Sequence, residues 1–442
     1  MQFSASSASQ KTNKKDHIIH PKRWFGIKPL VFCLRLILGV VFIFSGFVKA
    51  VDPWGGLYKI TDYFQAWGTT ISHEMALTLA CALASFEFIL GVMTLLGCYR
   101  KATRWLVLLF MSFMTVLTLY IWIADPVSDC GCFGDAFILS NSATFWKNIV
   151  LLALSGVYFR YNNLLSGIIM PRIQWFALVI TAAFIFAIEI YGYQVQPMID
   201  FRPFPKGTDV SKYVDSADEA EMFYIYERDG IRQRFSINDL PDESWKFVER
   251  VNVTGDNSEQ PTIAVFDEQD DDVTSFIFEE DGNQCMLLVS DIKRYGISRS
   301  EMIDRLYDYC ENNDIDMFAI IAGNADSCRQ WAEDIGVEFP VYYAEDTDIK
   351  MIARGDASLV MIKDGKIAWK TNIFALPPDF PENRDAVASD SWIVNPKRPL
   401  FTCFLFWIIG LFACVAVSLR FNRTEKAQPE GLRSIERRKE NE

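Results

Sequence analysis

Six apolar runs dominate the chain: Leu30–Ala50, Met75–Gly97, Trp105–Ala124, Phe145–Phe159, Ile173–Tyr191 and Leu400–Leu419. About twenty apolar residues in a helix cross the hydrocarbon core of a bilayer. The runs therefore commit the chain to a polytopic α-helical membrane protein with six predicted spans. Five crowd together behind short connectors and the last stands alone. The fourth is the shortest and carries Lys147 and Asn148, two side chains expected to snorkel to the interface. The first follows a polar, basic stretch and lacks a small-x-small site at its end, so it reads as an uncleaved anchor.

Basic residues set the orientation, because cytoplasmic connections are enriched in Lys and Arg. Lys11, Lys14, Lys15, Lys22, Arg23 and Lys28 precede the first run; Arg100, Lys101 and Arg104 follow the second. Arg160 and Arg172 flank the connection after the fourth, and Arg420, Arg423 and Lys426 follow the sixth. With six spans this pattern puts both termini in the cytoplasm of a bacterial inner membrane and residues 193–399 in the periplasm. That exported stretch holds twice as many Asp and Glu as Lys and Arg, and the net charge of −13 is an average over unlike parts. The basic residues sit in short groups beside the apolar runs, which gives no footprint for nucleic acid. No phosphate-binding glycine loop or Ser-His-Asp arrangement is present.

Between the third and fourth runs lies Asp129-Cys130-Gly131-Cys132-Phe133-Gly134-Asp135. The charge pattern exports this loop, so its thiols meet an oxidising compartment. Three readings stay open: a permanent disulfide or idle thiols, a reversible redox pair, and a metal site. A Cys-x-Cys bridge closes a very small ring, whose strain makes it reducible, and Gly131 and Gly134 give the backbone its freedom. Asp129 and Asp135 should raise the thiol pKa values. The histidines are only His17, His20 and His73, two of them cytoplasmic, so no metal centre is expected. Cys33, Cys81, Cys98, Cys403 and Cys414 lie in or at the ends of the runs and read as packed thiols.

A charge inside a span costs at least about 2.5 kcal/mol and normally faces a partner or a polar cavity. Glu87 lies mid-run, with Arg35 and Lys49 towards opposite ends of the first run. Two readings are open for Glu87: an ion pair with Arg35, or a quinone or proton pocket. Glu189 reads as interfacial.

In the exported stretch, the Pro-containing residues 201–207 read as a linker. Phe223–Tyr226 and Arg232–Ile237 flank Arg228-Asp229-Gly230, a hairpin signal. Further strands are expected at Met286–Val289, Phe318–Ala322, Val341–Tyr343, Ser358–Ile362 and Ile367–Trp369, with helices at Arg299–Asn312 and Asp326–Ile335. This β-α-β-α-β-β order, ending in Lys363-Asp364-Gly365-Lys366, resembles a thioredoxin-like domain over residues 261–375. The resemblance implies Cys-x-x-Cys after the first central strand and a cis-proline before the last hairpin. Here the first segment reads Asp291-Ile292-Lys293-Arg294-Tyr295-Gly296-Ile297-Ser298 and the second falls at Ala357, so the domain is degenerate. Cys285, Cys310 and Cys328 read as ordinary packed thiols.

Arg35–Gly39, Phe42–Lys49, Asp52-Pro53, Phe86–Gly91, the cysteine loop and Phe145–Asn148 together resemble the DoxX superfamily, within it the MauE-like branch, over residues 30–160. The added spans and exported domain are similar to a DoxX-family architecture of Bacteroidota. The resemblance implies a four-helix membrane unit, linked in such proteins to thiol and quinone redox chemistry and, for MauE, to maturation of a disulfide-rich periplasmic protein. The expected organisation is a basic tail (1–29), the four-helix unit (30–160), a fifth helix (173–191), a linker and hairpin (193–260), the thioredoxin-like domain (261–375), a sixth helix (400–419) and a second basic tail (420–442). Beside the lipid bilayer, the expected partners are a membrane quinone and a periplasmic thiol protein, with Cys130 and Cys132 as the redox pair. The competing expectation is a non-enzymatic assembly or scaffold factor, with the exported domain binding a partner and the cysteine loop serving as a clip.

Overall fold

The computed structural model describes residues 24–127, 129–210, 221–228, 231–236, 241, 245–253, 259–260, 263–278, 282–292, 294, 300–377, 379–381, 393 and 395–427. Among the described residues, five helices are long and apolar enough to cross a membrane, over Ile27–Val51, His73–Leu96, Arg100–Ala124, Pro171–Gln194 and Lys397–Phe421. They fall within α1 (Trp24–Val51), α3 (His73–Leu96), α4 (Arg100–Ala124), the segment ending in α6 (Gln174–Gln194), and α11 (Lys397–Ala427). The fourth apolar run forms α5 (Asn141–Tyr161), which is less apolar and packs antiparallel along α4. Asn148 does not snorkel, whereas Lys147 reaches back towards the loop that precedes α5. Asn148 is buried and donates to Thr118 Oγ1 at 3.2 Å, while the Lys147 ammonium sits 4.1 Å from the centre of the Phe133 ring. Buried polar groups in a span satisfy each other across helices, and this pair had no local signature.

Small residues bring α1 and α3 together. A Cβ at Gly46 would lie 2.3 Å from the Phe88 nitrogen, and one at Gly91 would lie 2.5 Å from the Ile43 nitrogen. The backbones therefore touch, as in small-residue membrane interfaces. Val31, Leu38 and Phe42 of α1 join Leu90, Val107, Met111, Leu151 and Tyr158 in one core spanning α1, α3, α4 and α5. On the other side, Trp407 of α11 stacks on Phe184 of α6 at 4.7 Å. Among the elements not anticipated is α2 (Pro53–Ala66), fourteen residues or about 21 Å long and too short to span. Its start is written in Asp52-Pro53: the Asp52 carboxylate accepts from Gly55 N at 3.0 Å, and proline occupies the first turn.

The part between α6 and α11 holds two sheets among the described residues. β1 (Glu221–Arg228), β2 (Ile231–Ser236), β3 (Lys246–Val253) and β4 (Glu259–Gln260) form an antiparallel sheet in the order β2-β1-β3-β4. The expected Asp229-Gly230 turn lies outside the described residues. The larger sheet runs β10-β9-β6-β7-β8-β5, with β6 (Asn283–Val289), β7 (Ile315–Ala322) and β8 (Val341–Ala344) parallel. β5 (Val265–Phe266), β9 (Ala357–Lys363) and β10 (Lys366–Asn372) run antiparallel to their neighbours.

Alternation along β6 feeds two cores. Cys285, Leu287 and Val289 face α8 (Ser300–Glu311) and α9 (Ala325–Ile335), while Met286 and Leu288 face α7 (Thr274–Phe278) and α10 (Asp346–Ile352). The short α10, between β8 and β9, was not anticipated. Asp364 and Gly365, both at positive φ, turn β9 into β10 as a two-residue hairpin. Residues 201–207 are not a free linker. Phe204 is fully buried in the second core, Gly207 N donates to Ile367 O at 2.8 Å, and the Lys370 ammonium binds Asp200 at 2.6 Å.

Candidate functional site

The cysteine loop is held from four directions. Asp125 ends α4 in a left-handed conformation, and the Asn141 amide at the start of α5 donates to its carboxylate at 2.8 Å and to Val127 O at 3.1 Å. Asp129 folds back to accept from Gly131 N at 2.8 Å and pairs with Lys59 of α2 at 2.5 Å. Gly131 and Gly134 both sit at positive φ, where a side chain would strain the turn. The Tyr63 hydroxyl of α2 donates to Cys130 O at 3.1 Å, and the Ser45 hydroxyl of α1 reaches Cys132 O at 2.8 Å. With both carbonyls anchored, the sulfurs lie 2.9 Å apart as a dithiol.

Below the loop, Ser45 Oγ also lies 2.6 Å from Glu87 Oε2, so its one proton is shared between this carboxylate and Cys132 O, and the Lys49 ammonium straddles both Glu87 oxygens at 2.7 and 2.8 Å. Glu87 is thus paired with Lys49, not with Arg35. Arg35 lies at the opposite end of the helices and donates to Thr94 O, Leu95 O and Ser166 O, capping the end of α3. Seven residues separate Glu87 from Thr94, about 10 Å along the helix, which puts the two ends out of reach. Glu189, near the end of α6, is buried against the protein and accepts from Ser85 at 2.8 Å.

The electrostatics separate the two thiols. The Cys130 thiol donates to Cys132, and this hydrogen bond, opposed by burial and aided by Lys147 and Lys49, brings Cys132 down to about 7. The same hydrogen bond, with burial, pushes Cys130 up. Asp129 and Asp135 do not dominate the thiols, because each is engaged by a cation, Lys59 for the first and Arg354 for the second. A void of about 40 Å³ touches Ser45, Lys49, Glu87, Cys132 and Lys147, room for an ordered water or two. A second, apolar-walled cleft of about 130 Å³ exposes both cysteines beside Lys59, Tyr63, Leu83 and Phe113. Among the described residues no three His, Cys, Asp or Glu side chains converge as a metal site.

The α/β domain completes the site. Arg354, in the loop between α10 and β9, sends Nε and Nη2 to Asp52 Oδ2 at 3.0 and 2.9 Å, and Nη2 also pairs with Asp135. Lys350 lies over the Tyr58 ring of α2 at 4.2 Å. The sequence brought Cys130, Cys132 and Glu87 to attention, and the structure gathers those three. Lys49 and Lys147, named there only as charges within the apolar runs, join them, and Ser45, Lys59, Tyr63 and Arg354 do so unannounced. Ser45 and Lys49 are four apart on one helix face, a readable signal. Arg354 has none, since 302 residues separate it from Asp52.

Fold and site define a class: a helical membrane protein with a soluble α/β domain docked over a dithiol loop. Residues 27–160 match the family model of the methylamine utilisation protein MauE, which makes this part a MauE-like membrane domain. Residues 220–254, covering β1 to β3, match a domain of unknown function, DUF8463. None of the curated proteins matches the chain.

Proposed function

We propose that this protein is a membrane thiol–disulfide redox protein whose working pair is Cys130–Cys132. The observation that carries the reading is a dithiol, its sulfurs 2.9 Å apart, set over the Lys49–Glu87–Ser45 cluster with Cys130 and two lysines favouring the Cys132 thiolate. Cys132, as thiolate, attacks a partner disulfide and forms a mixed disulfide, releasing one partner thiolate. Cys130 then gives up its proton and attacks the Cys132 sulfur, releasing the second partner thiolate and leaving Cys130–Cys132 oxidised. Strain in so small a ring favours the return to dithiol. Glu87 shares Ser45 and the adjoining void with Cys132, which places it to take or return a proton.

Two partners fit. A periplasmic thiol protein would meet the loop from the aqueous side. A quinone would be held in the apolar cleft, whose lining offers Leu83 and Phe113 as apolar contacts and Lys49, Lys59 and Tyr63 as polar ones. Bound there, it would supply a two-electron, two-proton couple. The residues themselves hold the thiols, keep water few and place cations beside Cys132.

The orientation we propose has six spans, both termini in the cytoplasm and residues 195–396 in the periplasm. The course of α5 supports it: its start is bonded to Asp125 and its end, through Asn162, to Arg100 O at 3.2 Å, so it runs the length of α4. The exported fold we read as thioredoxin-like and cysteine-depleted. Its β6-end loop (Ser290, Asp291) and the Arg354–Asp356 loop form the edge where such a domain would carry its thiols, and the Arg354 side of this edge reaches Asp52 and Asp135 of the membrane unit. A membrane accessory role in maturing exported proteins accords with the MauE likeness.

Acid quenching of intact cells followed by differential alkylation tests the redox reading. Cys130 and Cys132 should change state with quinone supply or added reductant, and Cys130→Ser should accumulate a mixed disulfide through Cys132. A pair locked as disulfide under all conditions refutes it and leaves the scaffold role.

A further inference from the structure

A second thiol pair lies in the exported domain. Cys285 is on β6, the strand flanked by β7 and β9, where it pairs with Met317 and Met361. Its side chain points with Leu287 and Val289 towards α8, where Cys310 follows Leu306 by one turn. Both cysteines are 0% exposed, and their thiols hydrogen-bond across the strand–helix interface. Cys328, equally buried, differs: its thiol donates to Val341 O at 3.3 Å, a backbone partner of its own. We propose that Cys285 and Cys310 are joined as a buried disulfide in the mature protein, tying α8 to a central strand of the exported sheet.

The chemistry is ordinary exchange. A partner disulfide, of the protein thiol-oxidant class, accepts two electrons: one cysteine thiolate displaces a partner thiolate, and the second displaces the other. The two cysteine protons go to solvent or to the departing thiolates. Exchange precedes closure of the interface, because neither sulfur is reachable afterwards. The bond closes a loop that contains the whole connection from β6 to α8, so it removes freedom from the unfolded chain. The inference rests on the proposed export of residues 195–396. It does not rest on any redox role for Cys130 and Cys132.

The test uses the full chain in native membranes. Acid-quenched protein is denatured and alkylated with a first maleimide without reductant, then reduced and alkylated with a second, and each cysteine is read by peptide mass spectrometry. Cys285 and Cys310 should lose the first label and carry the second, whereas Cys328 should carry the first. First label on Cys285 and Cys310 overturns the disulfide. A parallel variant, Lys366→Cys at an exposed turn position, probed with an impermeant maleimide on spheroplasts, separates the causes. Outside labelling with reduced Cys285 and Cys310 refutes the disulfide alone. No outside labelling refutes the proposed orientation with it.

Discussion

Arg354→Ala should release the α/β domain from the cysteine loop while leaving both parts folded. The guanidinium is 8% exposed and bridges Asp52, 14% exposed, and Asp135, 36% exposed. Hydrogen bonds to charged groups contribute about 1.5–3 kcal/mol each, and removing one partner of a buried ion pair costs about 3–5 kcal/mol. Asp135 is partly wetted, so the lower end applies: about 3 kcal/mol after discounting for screening. At 1.4 kcal/mol per factor of ten, the undocked population rises about a hundredfold. Lys350 over Tyr58 retains a weaker hold.

The assay is the alkylation rate of Cys130 by a bulky water-soluble maleimide, with hydrogen exchange of residues 129–136 as a second readout. Both should rise towards that factor in Arg354→Ala. Arg354→Lys should recover only part of the protection, since an ammonium lacks the fork that meets two carboxylates. Unchanged Cys130 reactivity in Arg354→Ala, with the thermal transition of the exported domain intact, would refute the latch.

Other outcomes follow from the same geometry. Alkylation of Cys132 should be half-maximal near pH 7, because the group reacts as thiolate above its lowered pKa of about 7 and is protonated below it; Cys130→Ala, which removes the thiol donor, should move the midpoint up. Glu87→Gln leaves the Lys49 ammonium without its carboxylate and should lower thermal stability in detergent by about 3 kcal/mol, a loss that Glu87→Asp would partly spare. Gly91→Ala sets a Cβ 2.5 Å from the Ile43 nitrogen and should cost about 1–3 kcal/mol by forcing α1 and α3 apart, read as a lower melting point. Asn148→Leu removes the donor to Thr118 and Met114 O and should cost about 1–3 kcal/mol by the same measure.

How much of this was legible depended on the range of the signal. The apolar runs and the strand runs of the exported part are local: consecutive residues share one environment, so the helices and the larger sheet could be read off period and length. The cap of α2 was equally local, Asp52-Pro53 before an amphipathic stretch, and was passed over only because fourteen residues do not announce a span. Partner choice is another matter. Arg35 and Lys49 are both cations on the helix that faces Glu87, and composition cannot rank them; the register of α1 against α3, set by Gly46 and Gly91 touching the opposite backbone, does. The consequence reaches the cysteines. A register that placed Arg35 beside Glu87 would take the Lys49 ammonium from beneath Cys132 and leave Lys147 as the cation named beside it. Gly46 and Gly91 thus help decide which charges Cys132 feels. Arg354 acts on the loop from the other side, by engaging Asp135 through a contact that only the docked domain supplies. The thiol chemistry proposed for this loop is therefore a property of helix register and domain docking together, and the seven residues that carry the sulfurs do not encode it alone.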